Sequence, residues 1–223
     1  MKLAHPLLER PIVFEENKIN VLVIENQKAF SEIVWELMEQ INDGEGQFVL
    51  SSDLTHLELQ KYMDLVIDLF SLDFNQKRII NKVYSKLKMI AVESEYYVDS
   101  TGLISEIMRY LEKILQEIHY PLEYNQEMDI GAIFKFADVK IGTDYETIIE
   151  KTIDYLTLLQ EFIGIKLFVF INLKCYLSDQ DLEQLYQFVI YNKYDILLLE
   201  NTMREKRFQQ EKIRIIDGDL CEI

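Results

Sequence analysis

Gly164-Ile-Lys-Leu-Phe-Val-Phe-Ile-Asn-Leu-Lys174 decides the fold. From Leu167 to Leu173 only Asn172 interrupts an apolar run rich in β-branched and aromatic residues. A strand that is apolar on both faces belongs inside a sheet that helices cover on each side. The residues before it, 143–163, place Ile148, Ile149, Thr152, Leu156, Leu159 and Ile163 at helical spacing, and Gly164 stops that helix. After the strand, Ser178 with Asp181 three residues on opens a second helix, with Leu182, Leu185, Tyr186 and Val189 on one face. Asp195-Ile-Leu-Leu-Leu-Glu200 then reads as another buried strand. Helix, strand, helix, strand in this order predicts a crossover unit with parallel strands, the core of an α/β domain.

Working outward toward the N-terminus, Pro11–Phe14 and Asn20–Ile24 predict a short hairpin around the polar link 15–18. Asn26 is placed to cap a helix over 27–40, Asp43-Gly-Glu-Gly46 is a loop, and 47–50 a short strand. Between residues 57 and 137 the strand patterns vanish, and helical periodicity holds over 57–69, 75–91 and 102–119. Pro121 breaks the last of these, and a further helix is expected over about 127–136. The expected organisation is a discontinuous α/β head, 1–56 and 138–223, interrupted by a helical insertion over 57–137. Lys212–Ile216 alternates like an edge strand.

Forty-nine per cent apolar residues exclude a disordered chain, and no apolar run reaches the roughly 20 residues of a membrane span. Met1-Lys-Leu-Ala-His-Pro6 lacks the apolar segment of a signal peptide. Cys175 and Cys221 lie far apart, so reduced thiols in a cytoplasm are expected. The net charge of −16 argues against nucleic acid unless the basic residues share one surface or bound cations offset the carboxylates.

The turn after Asn20–Ile24 is where a nucleotide-binding α/β protein places its phosphate loop. That loop needs glycines to bring backbone N–H groups onto phosphate, with a Lys and a Ser or Thr for charge and Mg²⁺. Glu25-Asn-Gln-Lys-Ala-Phe30 has one lysine, no glycine, and a glutamate facing any incoming phosphate. An ordinary strand-to-helix turn explains it better than nucleotide hydrolysis does. His5, His56 and His119 form no ligand or catalytic spacing, and no nucleophile motif is present.

Two charge clusters remain. Lys77, Arg78, Lys82, Lys86 and Lys88 gather on one expected helix, and Arg78, Lys82 and Lys86 fall four apart on one face. Such a stripe is either a solvated face or a surface that meets phosphates. Glu112, Glu117, Glu123, Glu127 and Asp129 flank the break at Pro121, where carboxylates and free carbonyls suit a hard cation such as Ca²⁺, although no EF-hand spacing is present.

The order and spacing of several stretches resemble the small CRISPR-associated proteins of type II-A systems that work in spacer acquisition, the Csn-two family. These are Leu7–Ile12, Val21–Ile24, Leu122-Glu-Tyr124, Val139-Lys-Ile141, Thr147–Lys151, Lys166–Asn172, Tyr176–Asp179 and Leu197–Glu200. The resemblance implies an α/β head related to P-loop NTPases but without their catalysis, and an inserted helical leg. It further implies a homotetrameric ring that holds double-stranded DNA, prefers free ends, requires Ca²⁺ for its assembled shape, and works beside the CRISPR integrase and effector nuclease. Carried onto this chain, Lys135 and Lys140 stand at family lysine positions and become the first DNA contacts, with Lys82, Lys86 and Arg78 next. Glu117 and Glu123 fit the family's acidic segment. His119, Pro121 and Asn125 stand where acids are expected, which shifts the remaining metal ligands to Glu127 and Asp129. The function expected is a non-enzymatic DNA-end-binding ring. The rivals are a divergent nucleotide-dependent phosphotransferase on the same core and a protein-binding scaffold that retains no DNA.

Overall fold

The computed structural model describes residues 1–223 except Leu54, Ser94 and Gln126. In chain order its elements are β1 (Lys2–Ala4), β2 (Ile12–Val13), β3 (Ile19–Ile24), α1 (Gln27–Asp43), β4 (Val49–Ser52), β5 (Thr55–Leu57), α2 (Leu59–Tyr62), β6 (Met63–Val66) and α3 (Lys77–Glu93). There follow α4 (Tyr97–Leu115), α5 (Ile130–Phe136), α6 (Ile148–Ile163), β7 (Leu167–Ile171), α7 (Asp179–Tyr191), β8 (Asp195–Glu200) and β9 (Glu211–Ile216). The chain divides into two compact units. One comprises Met1–Asp73 with Thr143–Ile223, the other Phe74–Gly142.

The first unit is built on a five-stranded parallel sheet in the order β6-β7-β8-β3-β9, with a four-stranded antiparallel sheet in the order β2-β1-β4-β5. Local chemistry sets the helix ends around β7. The Thr147 hydroxyl accepts the Glu150 N–H while the Glu150 carboxylate accepts the Thr147 N–H, which satisfies two donors that the start of α6 leaves open. Gly164 closes the helix at φ 83°, a left-handed conformation that costs other residues a Cβ clash. Ser178 and Asp181 repeat the capping box at α7. All five residues of β7 are buried.

Successive strand side chains point to opposite faces. On one face Leu22, Ile24, Val169, Ile171, Leu197 and Leu199 join Ile33 and Leu37 of α1 and Leu3 and Leu50 of the small sheet in one core. Phe168, Phe170, Ile196 and Leu198 face the other way and are buried, as are Leu156 and Leu159 of α6 and Leu182, Leu185 and Val189 of α7. Each such side chain contributes about 1.5–3 kcal/mol on leaving water.

Two expectations are overturned. The hairpin over 11–24 does not form: β2 pairs with β1 in the small sheet, while β3 lies between β8 and β9 in the large one. Asn17 at φ 63° turns the chain between them without a ladder. The helix expected over 57–69 stops after α2, and Met63–Val66 becomes β6, an edge strand parallel to β7. Burial of Met63 and Val66 against the parallel sheet outweighs the helical spacing. Residues 57–66 therefore belong with the sheets, and the helical unit begins at Phe74 and not at residue 57.

The helical unit consists of α3, α4 and α5. Asp129 caps α5 by accepting the Gly131 N–H at 2.9 Å. The Asn75 side chain donates to the Ile141 carbonyl at 3.1 Å and accepts the Ile141 N–H at 2.9 Å, which clamps the two ends of the unit together. Phe74, Ile79, Ala91 and Ile130 are buried, whereas none of the 19 residues of α4 is.

Candidate functional site

At the end of β3 the chain enters α1 through Glu25 and Asn26. The Asn26 side chain accepts the Ala29 N–H at 3.1 Å and donates to the Gly218 carbonyl at 2.9 Å, so it is committed to capping and to holding the C-terminal segment. Lys28 points to Glu32 at 3.6 Å, one helical turn on. No stretch of backbone curls back here to aim several N–H groups at one point, which is the geometry a triphosphate needs. At the end of β7, Asn172 sits at φ 52°, and its side-chain Oδ1 accepts the Asn201 N–H at 2.9 Å, tying β7 to β8.

Behind that end of the sheet lies a buried ionic network that sequence patterns did not single out. Lys174 Nζ meets Glu211 Oε1 at 2.6 Å, with side-chain exposures of 5% and 0%. The Tyr186 hydroxyl donates to the same oxygen at 2.7 Å. Glu200, itself buried, accepts the Lys174 N–H at 3.1 Å. Burial pushes the Glu200 carboxyl up to about 7; the Lys174 N–H, the Lys174 charge and Arg204 pull it down, and Glu211 adds to the rise. Burial likewise drives the Tyr186 hydroxyl far upward, so it stays a donor. Arg204 reaches toward Asp179 at 3.5 Å from the connection between β8 and β9. A charged residue abutting an apolar run, as Lys174 and Glu200 do, was the available signal. Its inner members, Lys174, Glu200, Tyr186 and Glu211, have buried side chains, and they join the end of β7 to α7, β8 and β9.

The helical unit holds every residue singled out for DNA and for metal. Phe74–Gly142 carries nine Lys and Arg against ten Asp and Glu, a net charge of −1, so −15 of the chain's −16 sits on the sheet-bearing unit. On α3 the apolar positions Ile79, Val83, Leu87 and Ala91 turn inward, while Arg78, Lys82 and Lys86 are exposed on the flank beside them. No acid occurs on α3 before Glu93. Lys77 and Arg78 occupy its first turn, where the helix dipole disfavours cations. That arrangement costs helix stability.

Lys135 and Lys140 are exposed, but each has an acid close by. Lys140 pairs with Asp138 at 2.5 Å, which holds its ammonium above the ordinary lysine range. Lys135 acts electrostatically on Asp129, which Lys88 also pairs with, and together with the Gly131 N–H they hold that carboxylate below the usual range, Lys88 most strongly.

The carboxylates expected to bind calcium are spread apart among the described residues. Glu117, Glu123, Glu127 and Asp129 are exposed, and among the described residues no group of three or more His, Cys, Asp or Glu converges on one ion position. Asp129 is engaged by Lys88 and by the α5 cap. His5 is structural, bonded to Glu36 Oε2 at 3.2 Å and packed on Phe48.

Among the described residues no helix is long and apolar enough to cross a membrane. Residues 40–220 match the family model described as CRISPR-associated protein (Cas_Csn2). The CRISPR-associated protein Csn2 of Enterococcus faecalis is 26% identical over 215 residues, covering 94% of each chain. That of Streptococcus agalactiae is 22% identical over 204 residues, covering 90% of this chain and 89% of its own. Among solved structures, an inward-facing metal-chelate-type ABC transporter superposes with a TM-score of 0.40 at 8% identity, covering 96% of this chain and 74% of its own. A putative ABC transporter ATP-binding protein from Pyrococcus furiosus gives 0.39 at 7%, with coverage of 92% and 88%. With the family model matching most of its length, this chain belongs to the Csn2 family of CRISPR-associated proteins.

Proposed function

We propose that this protein is a non-enzymatic, ring-forming binder of double-stranded DNA that prefers free ends and acts in spacer acquisition of a type II-A CRISPR system. The observation that carries the proposal is the partition of charge. Almost all the net negative charge lies on the sheet-bearing unit, and the helical unit offers Arg78, Lys82 and Lys86 on one helix face that carries no acid of its own. Copies arranged around a duplex would present these stripes to phosphates. Contacts of that kind fix position without reading bases, so binding is expected to be indifferent to sequence and steeply salt-dependent.

The copies are proposed to form a homotetramer, and the apolar side chains that the helical unit leaves exposed, Val98, Tyr110 and Phe136 among them, support assembly. Ca²⁺ enters the proposal only as a property of the assembled protein, since the carboxylates do not converge among the described residues of one chain; no step of DNA binding is routed through it. The CRISPR integrase and effector nuclease are the proposed protein partners. Competition between linear and closed circular duplex tests the reading directly. Linear fragments should be retained and circles of equal length should compete far less well, because a closed ring of protein needs an end to thread. Equal competition would show that no threading occurs.

The sheet-bearing unit is proposed to be P-loop-NTPase-like in arrangement and inert toward nucleotides. The two-residue turn at Glu25 and Asn26, with Asn26 engaged on both sides, supports this. Incubation of purified protein with ATP or GTP should release no phosphate above background. Turnover that Lys28→Ala abolishes would instead make the turn a working site.

A further inference from the structure

The chain's one tryptophan, Trp35, stands midway along α1 and is 65% exposed. Helical spacing puts it at the centre of the outward face, since Ile33 and Leu37 on the opposite side are buried in the core. Among the described residues no ring or cation lies on the indole. Phe70, which is about as exposed, differs in having the Tyr176 ring edge-on to it, with centroids 5.7 Å apart. Two exposed carboxylates frame Trp35 along one side of the helix, Glu32 three residues before it and Glu39 four after. Glu32 is met only by Lys28 at 3.6 Å, both side chains lying in solvent. Glu39 has no hydrogen-bond or ion-pair partner among the described residues. On the other side the half-buried Met38 borders the indole and extends its apolar surface.

Acids alone on a helix face are a solvated surface, and a lone apolar side chain does not name what covers it. Together they define a complement. A guanidinium laid on the indole is attracted by the ring quadrupole, which is strongest for Trp, while its N–H fork reaches carboxylates beside the ring. Arginine is more weakly hydrated than lysine and stacks as a plane, so it is the cation that this face selects. Polyanions are disfavoured, because the sheet-bearing unit carries −15 and the one base on α1, Lys28, already faces Glu32. The same net charge steers a positively charged protein toward the unit. We infer that the outward face of α1 docks a basic protein through an arginine side chain stacked on Trp35 and paired with Glu32 and Glu39. This surface is separate from the α3 stripe, and the inference does not depend on DNA binding.

Fluorescence anisotropy of a dye-labelled hexa-arginine peptide, titrated with the full-length protein at moderate salt, tests it, with hexa-lysine as the comparison. Hexa-arginine should bind the parent roughly fivefold more tightly than hexa-lysine and should shift the tryptophan emission, which reports from position 35 alone. Trp35→Leu should weaken hexa-arginine binding about tenfold, and Glu39→Gln about threefold. Both side chains are exposed, so the urea midpoints of the variants should match the parent. Trp35→Leu binding as tightly as the parent, or the two peptides binding alike, would reduce the effect to general attraction by the acids and overturn the inference. A change in the oligomeric mass on Trp35→Leu would give the face to a second copy of the chain, which overturns it equally.

Discussion

Lys174→Met is expected to destabilise the sheet-bearing unit by about 3–5 kcal/mol, because it leaves the Glu211 carboxylate buried without its cation. Glu211 has 0% side-chain exposure, so water cannot replace the lost partner, and the Tyr186 hydroxyl and the Phe208 N–H do not offset a full charge. Glu211→Leu should cost a similar amount, since it strands both Lys174 and the Tyr186 hydroxyl. The double variant should recover much of the loss, because an apolar pair of matching size carries no desolvation penalty. Such strong non-additivity is the signature of one coupled site. Trp35, the only tryptophan, lies on α1, so its fluorescence during urea unfolding follows the sheet-bearing unit and not the helical one. Two single variants with additive costs would show that Lys174 and Glu211 do not act as a pair.

The same network makes stability depend on pH. Glu200 is held up to about 7 in the folded protein, against an ordinary value of 4.5. Between these two values the folded state keeps a proton that the unfolded state has released. Stability contributed by this group therefore falls as pH rises through that window, by on the order of 3 kcal/mol, and is level above it. Glu200→Gln should flatten that part of the profile and leave the protein at pH 8 at least as stable as the parent. An unchanged slope between pH 5 and 7 in the variant would assign the pH dependence elsewhere.

What could be read from the sequence was what neighbouring residues decide. Thr147, Gly164, Ser178 and Asp181 act within one helical turn of themselves, and each sits where its chemistry placed it. The strand β6 was not legible, because four residues are too few for an alternating period to separate from a helical one. Its identity comes from pairing with β7, about a hundred residues away. The false hairpin failed because β2 turned back to β1 at the N-terminus, while β3 found both its partners, β8 and β9, near the other end of the chain. The Lys174–Glu211 pair joins residues on separate elements that only the folded sheet brings together. The stripe on α3 was legible as a stripe. Its setting on a nearly neutral unit was not, because a boundary drawn at residue 57 folds acids of the sheet-bearing unit, such as Glu58, Asp64 and Asp68, into the count.

The reversal Arg78→Glu/Lys82→Glu/Lys86→Glu should remove most of the affinity for duplex DNA, roughly a hundredfold or more at moderate salt. Three cations spaced four apart on one exposed face can follow a phosphate backbone, and α3 itself carries no acid along that stretch to repel it. Lys135 and Lys140, which the family resemblance put first, already have Asp129 and Asp138 beside them, so a phosphate must displace or tolerate a carboxylate at each. Lys135→Glu/Lys140→Glu is expected to weaken binding as well, and comparison of the two reversals ranks the two surfaces. Every phosphate that the protein no longer neutralises lowers the slope of log affinity against log salt by about 0.9, so the α3 variant should show a slope smaller by close to three for each engaged chain. Unfolding is not a rival explanation for the weakened binding. Replacing Arg78 with an acid in the first turn of α3 improves its fit to the helix dipole, and helix content should match the parent by circular dichroism. Duplex binding that survives the α3 reversal but fails in the Lys135/Lys140 variant would move the DNA surface to the α5 end of the unit. Duplex binding that survives both would remove DNA from the function of this helical unit.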